Sequence, residues 1–143
     1  MRKWIVGLLV AMMVFGSVAP ALASAKKSKR VFVQHPYTAR QKYKVGADIK
    51  TWSYVAPKTS DFTSKTVEIL VYARTARGSW EITKTVEGSL YNRARYRHRT
   101  FFRATFSLDK TGRYRMRAKY SWKAVDGTMK SKLSSYKYFR VVK

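Results

Sequence analysis

No cysteine occurs in the chain, so disulfides and thiolate chemistry are excluded and the fold must hold together by packing alone. Acid is nearly as scarce: 7 Asp plus Glu stand against 31 Lys plus Arg, a formal net charge of +24. Self-repulsion on that scale weakens a compact state unless counterions or partners relieve it. The carboxylates, Asp48, Asp61, Glu68, Glu81, Glu87, Asp109 and Asp126, are scattered singly, and no pair has the spacing of shared proton work. Cations around each of them favour ionisation and oppose the raised pKa a general acid needs. Only two histidines are present, His35 before a proline and His98 among arginines, which falls short of a zinc set. Glycine-rich phosphate loops and Gly-x-Ser-x-Gly elbows are missing. The expectation is a non-enzyme with no catalytic residue, no metal and no cofactor.

What remains is one domain's worth of chain, 143 residues, 45% hydrophobic and 15% aromatic, enough for a sizeable core. Its start reads as an export signal. Met1-Arg2-Lys3 is positive, Trp4 to Val18 is an apolar run, and Ala19 to Ala25 is rich in small residues. Ala21-Leu22-Ala23 is the preferred cleavage site, giving a signal peptide over 1–23, with Ala23-Ser24-Ala25 as the second choice. The apolar run is shorter than the roughly 20 residues of a spanning helix, which weighs against a retained anchor and leaves no stable membrane span after cleavage. Removing Arg2 and Lys3 from the 31 basic residues leaves 29 and a net charge of +22 against the same 7 acids. A basic tether follows over 24–30.

Residues 31–143 carry period-two alternation and no 3.6-residue apolar period. Ile49, Thr51 and Ser53 oppose Lys50, Trp52 and Tyr54; Val67, Ile69, Val71 and Ala73 oppose Glu68, Leu70, Tyr72 and Arg74. A turn at Gly78 leads to a returning strand anchored by Trp80, Ile82 and Val86. Phe102, Ala104, Phe106 and Leu108 share one face of the next strand. Tyr114, Met116, Ala118, Tyr120 and Trp122 do so in the one after, before a tight turn at Asp126-Gly127. Phe139 and Val141 point inward in the last. About seven short strands between turn signals predict an all-β chain, a single β-sandwich.

"LDKTGRYRMRAKY", Leu108 to Tyr120, resembles the entrance to strand F of immunoglobulin-like domains. There a corner tyrosine bonds back to the chain; Tyr114 matches it, and Met116 matches the position that holds a cysteine in antibody domains. Asp109 lies one residue further from the tyrosine than in antibodies. With "YKVGADIKTWSYVAPK" and "VEILVYARTARGSW", the order is similar to bacterial immunoglobulin-like repeats of secreted and cell-surface proteins, notably of actinobacteria. The resemblance implies a disulfide-free immunoglobulin-like β-sandwich, secreted and associated with the cell surface or wall, serving adhesion, spacing or display. It brings no catalytic residue.

Charge suggests the partner. If extended, Arg93 to Arg103 sets Arg93, Arg95, Arg97, Arg99 and Arg103 on one side, and the same phase sends Tyr96, Phe102, Ala104 and Phe106 to the other. Arg113, Arg115, Arg117 and Lys119 form a second comb. One-sided residues recur every 6.6–6.8 Å or so, near the spacing of charges on an extended polyanion. An ordinary solvated face mixes signs, and these do not. Strands E and F lie in different sheets of such a sandwich, so the combs are expected on opposite outer faces. Trp52, Tyr72 and Tyr91 are candidates for stacking on sugars or bases, and equally for packing. The leading expectation is electrostatic attachment to anionic envelope or matrix polymers, teichoic acid or acidic polysaccharide. Composition does not separate these from extracellular nucleic acid. The alternatives are a structural domain docking a surface protein, and a cationic antibacterial effector, which lacks the amphipathic helix that inserts at interfaces.

Overall fold

The computed structural model describes residues 30–57 and 63–143. The expected signal peptide, most of the tether, and Asp61 lie outside the described residues. Among the described residues eleven strands follow in order: β1 Phe32–Val33, β2 Tyr37–Thr38, β3 Lys42–Lys44, β4 Ile49–Ala56, β5 Thr63–Arg74, β6 Trp80–Glu87, β7 Ser89–Tyr91, β8 Thr100–Phe106, β9 Gly112–Lys123, β10 Met129–Leu133 and β11 Lys137–Val142. Among the described residues there is no helix.

Alternation builds two sheets around one core. In the first, β1, β4, β8 and β7 lie side by side, with β2 also on β4; in the second the order is β3, β11, β9, β5, β6, with β10 on β9. Every pairing is antiparallel except β3 with β11. With β4 as strand B, the orders read A-B-E-D against G-F-C, the arrangement of an immunoglobulin-like sandwich with β6 added at the C edge. Seven strands become eleven because the first and last are broken into short pieces, β1 to β3 and β10 with β11, and because of β6.

The inner faces match the sequence pattern. Ile49 and Val55 from β4, Phe102 and Phe106 from β8, and Val67, Ile69 and Val71 from β5 are buried together. Met116, Ala118 and Tyr120 from β9 and Phe139 and Val141 from β11 belong to the same cluster. Two inward polar groups are satisfied locally: Thr51 donates to the Ala104 carbonyl at 3.0 Å, and Ser53 to the carbonyls of Gln34 and His35. Tyr114 makes the corner, its hydroxyl donating to the Lys110 carbonyl at 2.7 Å. Burial, helped by the Asp109 charge, raises its pKa, which keeps the donor protonated. Met116 is fully buried where antibody domains place a cysteine.

One expectation fails at β6. The sequence pattern makes Trp80 and Ile82 anchors of this strand, yet Trp80 packs against Tyr138 on the outer face and Ile82 is 56% exposed. A bulge at Thr83 of β6, opposite the step from Val71 to Tyr72, is responsible. Tyr72 pairs with Ile82 but Val71 with Lys84, so the extra residue reverses which side of β6 faces in. Only beyond the bulge does Val86 pack on the core, as expected.

Gly88 alone separates β6 from β7, where the chain passes between sheets. Its N–H donates to the Val67 carbonyl at 2.8 Å. A Cβ there would sit 2.6 Å from the Val67 Cγ1 and 3.3 Å from the Arg103 carbonyl oxygen. Gly88→Ala is therefore expected to destabilise by about 1–3 kcal/mol through overpacking. Tyr114→Phe should cost about 1 kcal/mol by removing the corner bond. Urea midpoints measure both, and unchanged midpoints would contradict this packing.

Candidate anion-binding faces

The first comb is not a strand. Tyr91 pairs with Phe101, which leaves the residues between them to reverse the chain from β7 to β8. They do so in successive turns, with Tyr96 N–H donating to the Arg93 carbonyl and Arg99 N–H to that of Tyr96. Register thus overrides the alternation of Arg93, Arg95, Arg97 and Arg99. Arg95, Arg97 and His98 are exposed in these turns. Arg93 and Arg99 fold back onto the outer face of the first sheet. Arg93 lies 5.0 Å from the centre of the Phe101 ring, and Arg99 lies 4.2 Å from that of Tyr54. Arg103, on β8, sits over Tyr91 at 5.4 Å. Tyr96, expected inward, packs instead on Phe101 from outside. Of the stacking candidates here, Trp52 is 40% exposed, whereas Tyr91 is half-buried among these arginines.

The second comb does lie on a strand, outward on β9, and so on the opposite sheet. Its members differ from one another. Arg115 is enclosed by aromatic rings, 3.9 Å from the centre of Tyr136, 4.6 Å from Trp80 and 5.4 Å from Tyr72. Its Nε is buried with no hydrogen-bond acceptor among the described residues. Arg117 stacks on Tyr136 at 4.8 Å and donates from Nε to the Tyr72 hydroxyl at 3.0 Å. Lys119 stands opposite Glu68 and is half-buried. Tyr72, a candidate for stacking on a ligand, is 7% exposed because these guanidinium groups and Tyr136 cover it. Arg115, Arg117 and Tyr72 therefore build the face; they leave little for a ligand to touch.

Arg113 belongs to a different set, one the linear pattern does not reveal. Arg140 pairs with Arg113 on one side and with Lys42 on the other. Ala73 pairs with Tyr114, which brings Arg74 beside Arg113, and Arg74 pairs with Trp80. Lys42, Arg140, Arg113 and Arg74 thus form a single row across β3, β11, β9 and β5, with every member exposed. Strands about 4.8 Å apart place four cations along roughly 15 Å. No carboxylate stands in the row. The row borders an open depression of about 400 Å³, also lined by Gln41, Trp80 and Tyr138.

Like charges directly opposite one another across strands are destabilising. In this geometry an anion spanning two or more positions would relieve the repulsion, with planar guanidinium donors suited to phosphate or carboxylate oxygens. His35 adds no charge near neutral pH, because burial and then the Lys137 charge lower its pKa. Among the described residues no three His, Asp or Glu side chains gather as a metal set.

No known protein family and no curated protein matches the chain in sequence. Among solved structures it is similar to the alkylpurine DNA glycosylase AlkC of Pseudomonas fluorescens bound to DNA containing an abasic site analog, at 11% identity and TM-score 0.46. The likeness covers 78% of this chain and 30% of the glycosylase. It also resembles the superoxide reductase (neelaredoxin) of Ignicoccus hospitalis, at 15% identity and TM-score 0.41, over 86% of this chain and 93% of that one. Murine CRIg aligns over 80% of this chain and 99% of its own, at 12% identity and TM-score 0.38. Likenesses this distant say nothing of activity or partner.

The two kinds of arginine should respond oppositely to substitution. Arg113→Gln relieves repulsion in the row and is expected to raise stability by about 0.2–1 kcal/mol at low salt, the gain shrinking as salt screens the charges. Arg115→Gln removes the cation from a ring cage and should lower stability by about 0.5–2 kcal/mol with little salt dependence. Thermal unfolding across a salt series measures both. Equal effects of the same sign would contradict the distinction.

Proposed function

We propose that this protein is an exported, non-catalytic immunoglobulin-like module, of the kind repeated in bacterial surface proteins, that attaches by charge to anionic envelope or matrix polymers. The observation that carries the proposal is the row Lys42, Arg140, Arg113 and Arg74, four aligned and exposed cations with no carboxylate among them. Trp80 and Tyr138 bound the depression beside the row and offer ring surface next to the charges. An open, shallow site of this kind suits a repeating chain better than a small molecule, which enclosed pockets bury on most sides.

The mechanism is counterion exchange. Each phosphate or carboxylate neutralised by the row releases small ions from the polymer, so affinity falls as salt rises. Arginine supports this better than lysine would, because its planar fork can hold two oxygens at once. Export, by the reading of residues 1–23, places the module where teichoic acids and acidic polysaccharides are found.

Long-chain polyphosphate and polygalacturonate, one phosphate and one carboxylate polymer, are suitable probes across a salt gradient. The logarithm of affinity should fall linearly with the logarithm of salt concentration. The triple variant Arg74→Ser, Arg113→Ser, Arg140→Ser should lose roughly two units of that slope for polyphosphate, at about 0.7 per single-strand phosphate contact. Binding that ignores salt, or an unchanged slope in the triple variant, would overturn the proposal.

A further inference from the structure

The structure assigns a second polyanion site to the outer face of the first sheet, so that one molecule bridges two anionic chains. This rests on the proposed reading of the cationic row as a polyanion contact. Along β4, β8 and β7 the outward residues include Lys50, Trp52, Tyr54, Phe101, Arg103 and Tyr91, and none of the outward residues is acidic. The turns between β7 and β8 add Arg93 and Arg99, folded back over Phe101 and Tyr54.

Stacking prepares these guanidinium groups for an anion. The guanidinium carbon of each lies over a ring, Arg93 over Phe101, Arg99 over Tyr54 and Arg103 over Tyr91, and each group carries five N–H donors. None of Arg93, Arg99 or Arg103 donates a side-chain hydrogen bond to a described residue; the rings beneath restrict their positions without using their donors. Ordered, unspent donors around one patch lower the ordering cost of binding.

The two sites cannot serve one straight segment of polymer. They lie on opposite sheets, whose backbones are about 10 Å apart, and side chains widen the separation to roughly 20 Å. The Debye length at physiological salt is about 8 Å, so chains held on the two faces scarcely repel each other. Each face then binds on its own, and two held at a fixed distance crosslink chains without any further contact.

The test immobilises long-chain polyphosphate, loads the protein at about 0.15 M salt, washes, and measures capture of a second, fluorescent polyphosphate. Wild type is expected to capture it. The triple Gln variants of Arg74, Arg113 and Arg140, and separately of Arg93, Arg99 and Arg103, should still load but capture at least about ten-fold less, the loss expected when binding ceases to be bivalent. Removing ring-contacting arginines can disturb folding, so a second variant, Lys50→Gln on this face with Arg95→Gln and Arg97→Gln in the turns that adjoin it, leaves the ring contacts in place and should weaken capture in the same direction. A control of equal charge loss elsewhere, Lys110→Gln, Lys130→Gln, Lys132→Gln, should capture like wild type. Capture undiminished in either arginine variant, or lost equally in the control, overturns the bridge. A wild-type protein not retained on the immobilised chain overturns the underlying reading, and the bridge with it.

Discussion

Strand side chains have two directions only, and in this sandwich the inward one is filled by aliphatic and aromatic residues from both sheets. Most cations of the strands therefore stand outward, on two broad faces, with few acids to separate them. Strand spacing then sets the distances between charges, and the pairing register sets which charges are neighbours. The row from Lys42 to Arg74 is the consequence. It arises from four separate strands because each happens to present a cation at the same level of the sheet. Repulsion along the row stores free energy that an anion can release.

Aromatic rings take over much of what carboxylates do elsewhere. Arg93, Arg99 and Arg103 lie on rings of one sheet, Arg115 and Arg117 on rings of the other. Such contacts steady a guanidinium without cancelling its charge, which an ion pair would do. The outcome is a surface at once ordered and uncompensated. Where the rings close around an arginine, as at Arg115, the residue becomes part of the architecture. Where they only underlie it, as at Arg93 and Arg99, its donors stay available. The same chemistry thus divides the arginines between structure and contact, and neighbouring rings decide which.

Much of the fold is legible in the linear pattern because alternation is a local property. The inward phases of β4, β5, β8, β9 and β11 follow directly from it, as does the corner at Tyr114, where a short motif carries its own geometry. The misreadings share one cause, which is that pairing is non-local. Four arginines at alternate positions look like a strand face, but the Tyr91–Phe101 pair makes them a reversal of the chain. Trp80 and Ile82 look like anchors until the bulge next to them in β6 turns that end of the strand over. The cationic row is invisible for the same reason: of its four members the combs name only Arg113, and Lys42, Arg74 and Arg140 become its neighbours through register. A cue did exist, since each is a cation flanking an inward residue in an alternating stretch.

Arginine side-chain resonances, followed by NMR while polyphosphate is added at fixed ionic strength, test the central claim most directly. If the aligned row is the primary contact, Arg74, Arg113 and Arg140 shift together at polymer levels that leave the exposed lysines of β10, Lys130 and Lys132, unmoved. Uniform shifts over all of these residues would contradict the claim, because net charge alone, without placement, would then account for binding.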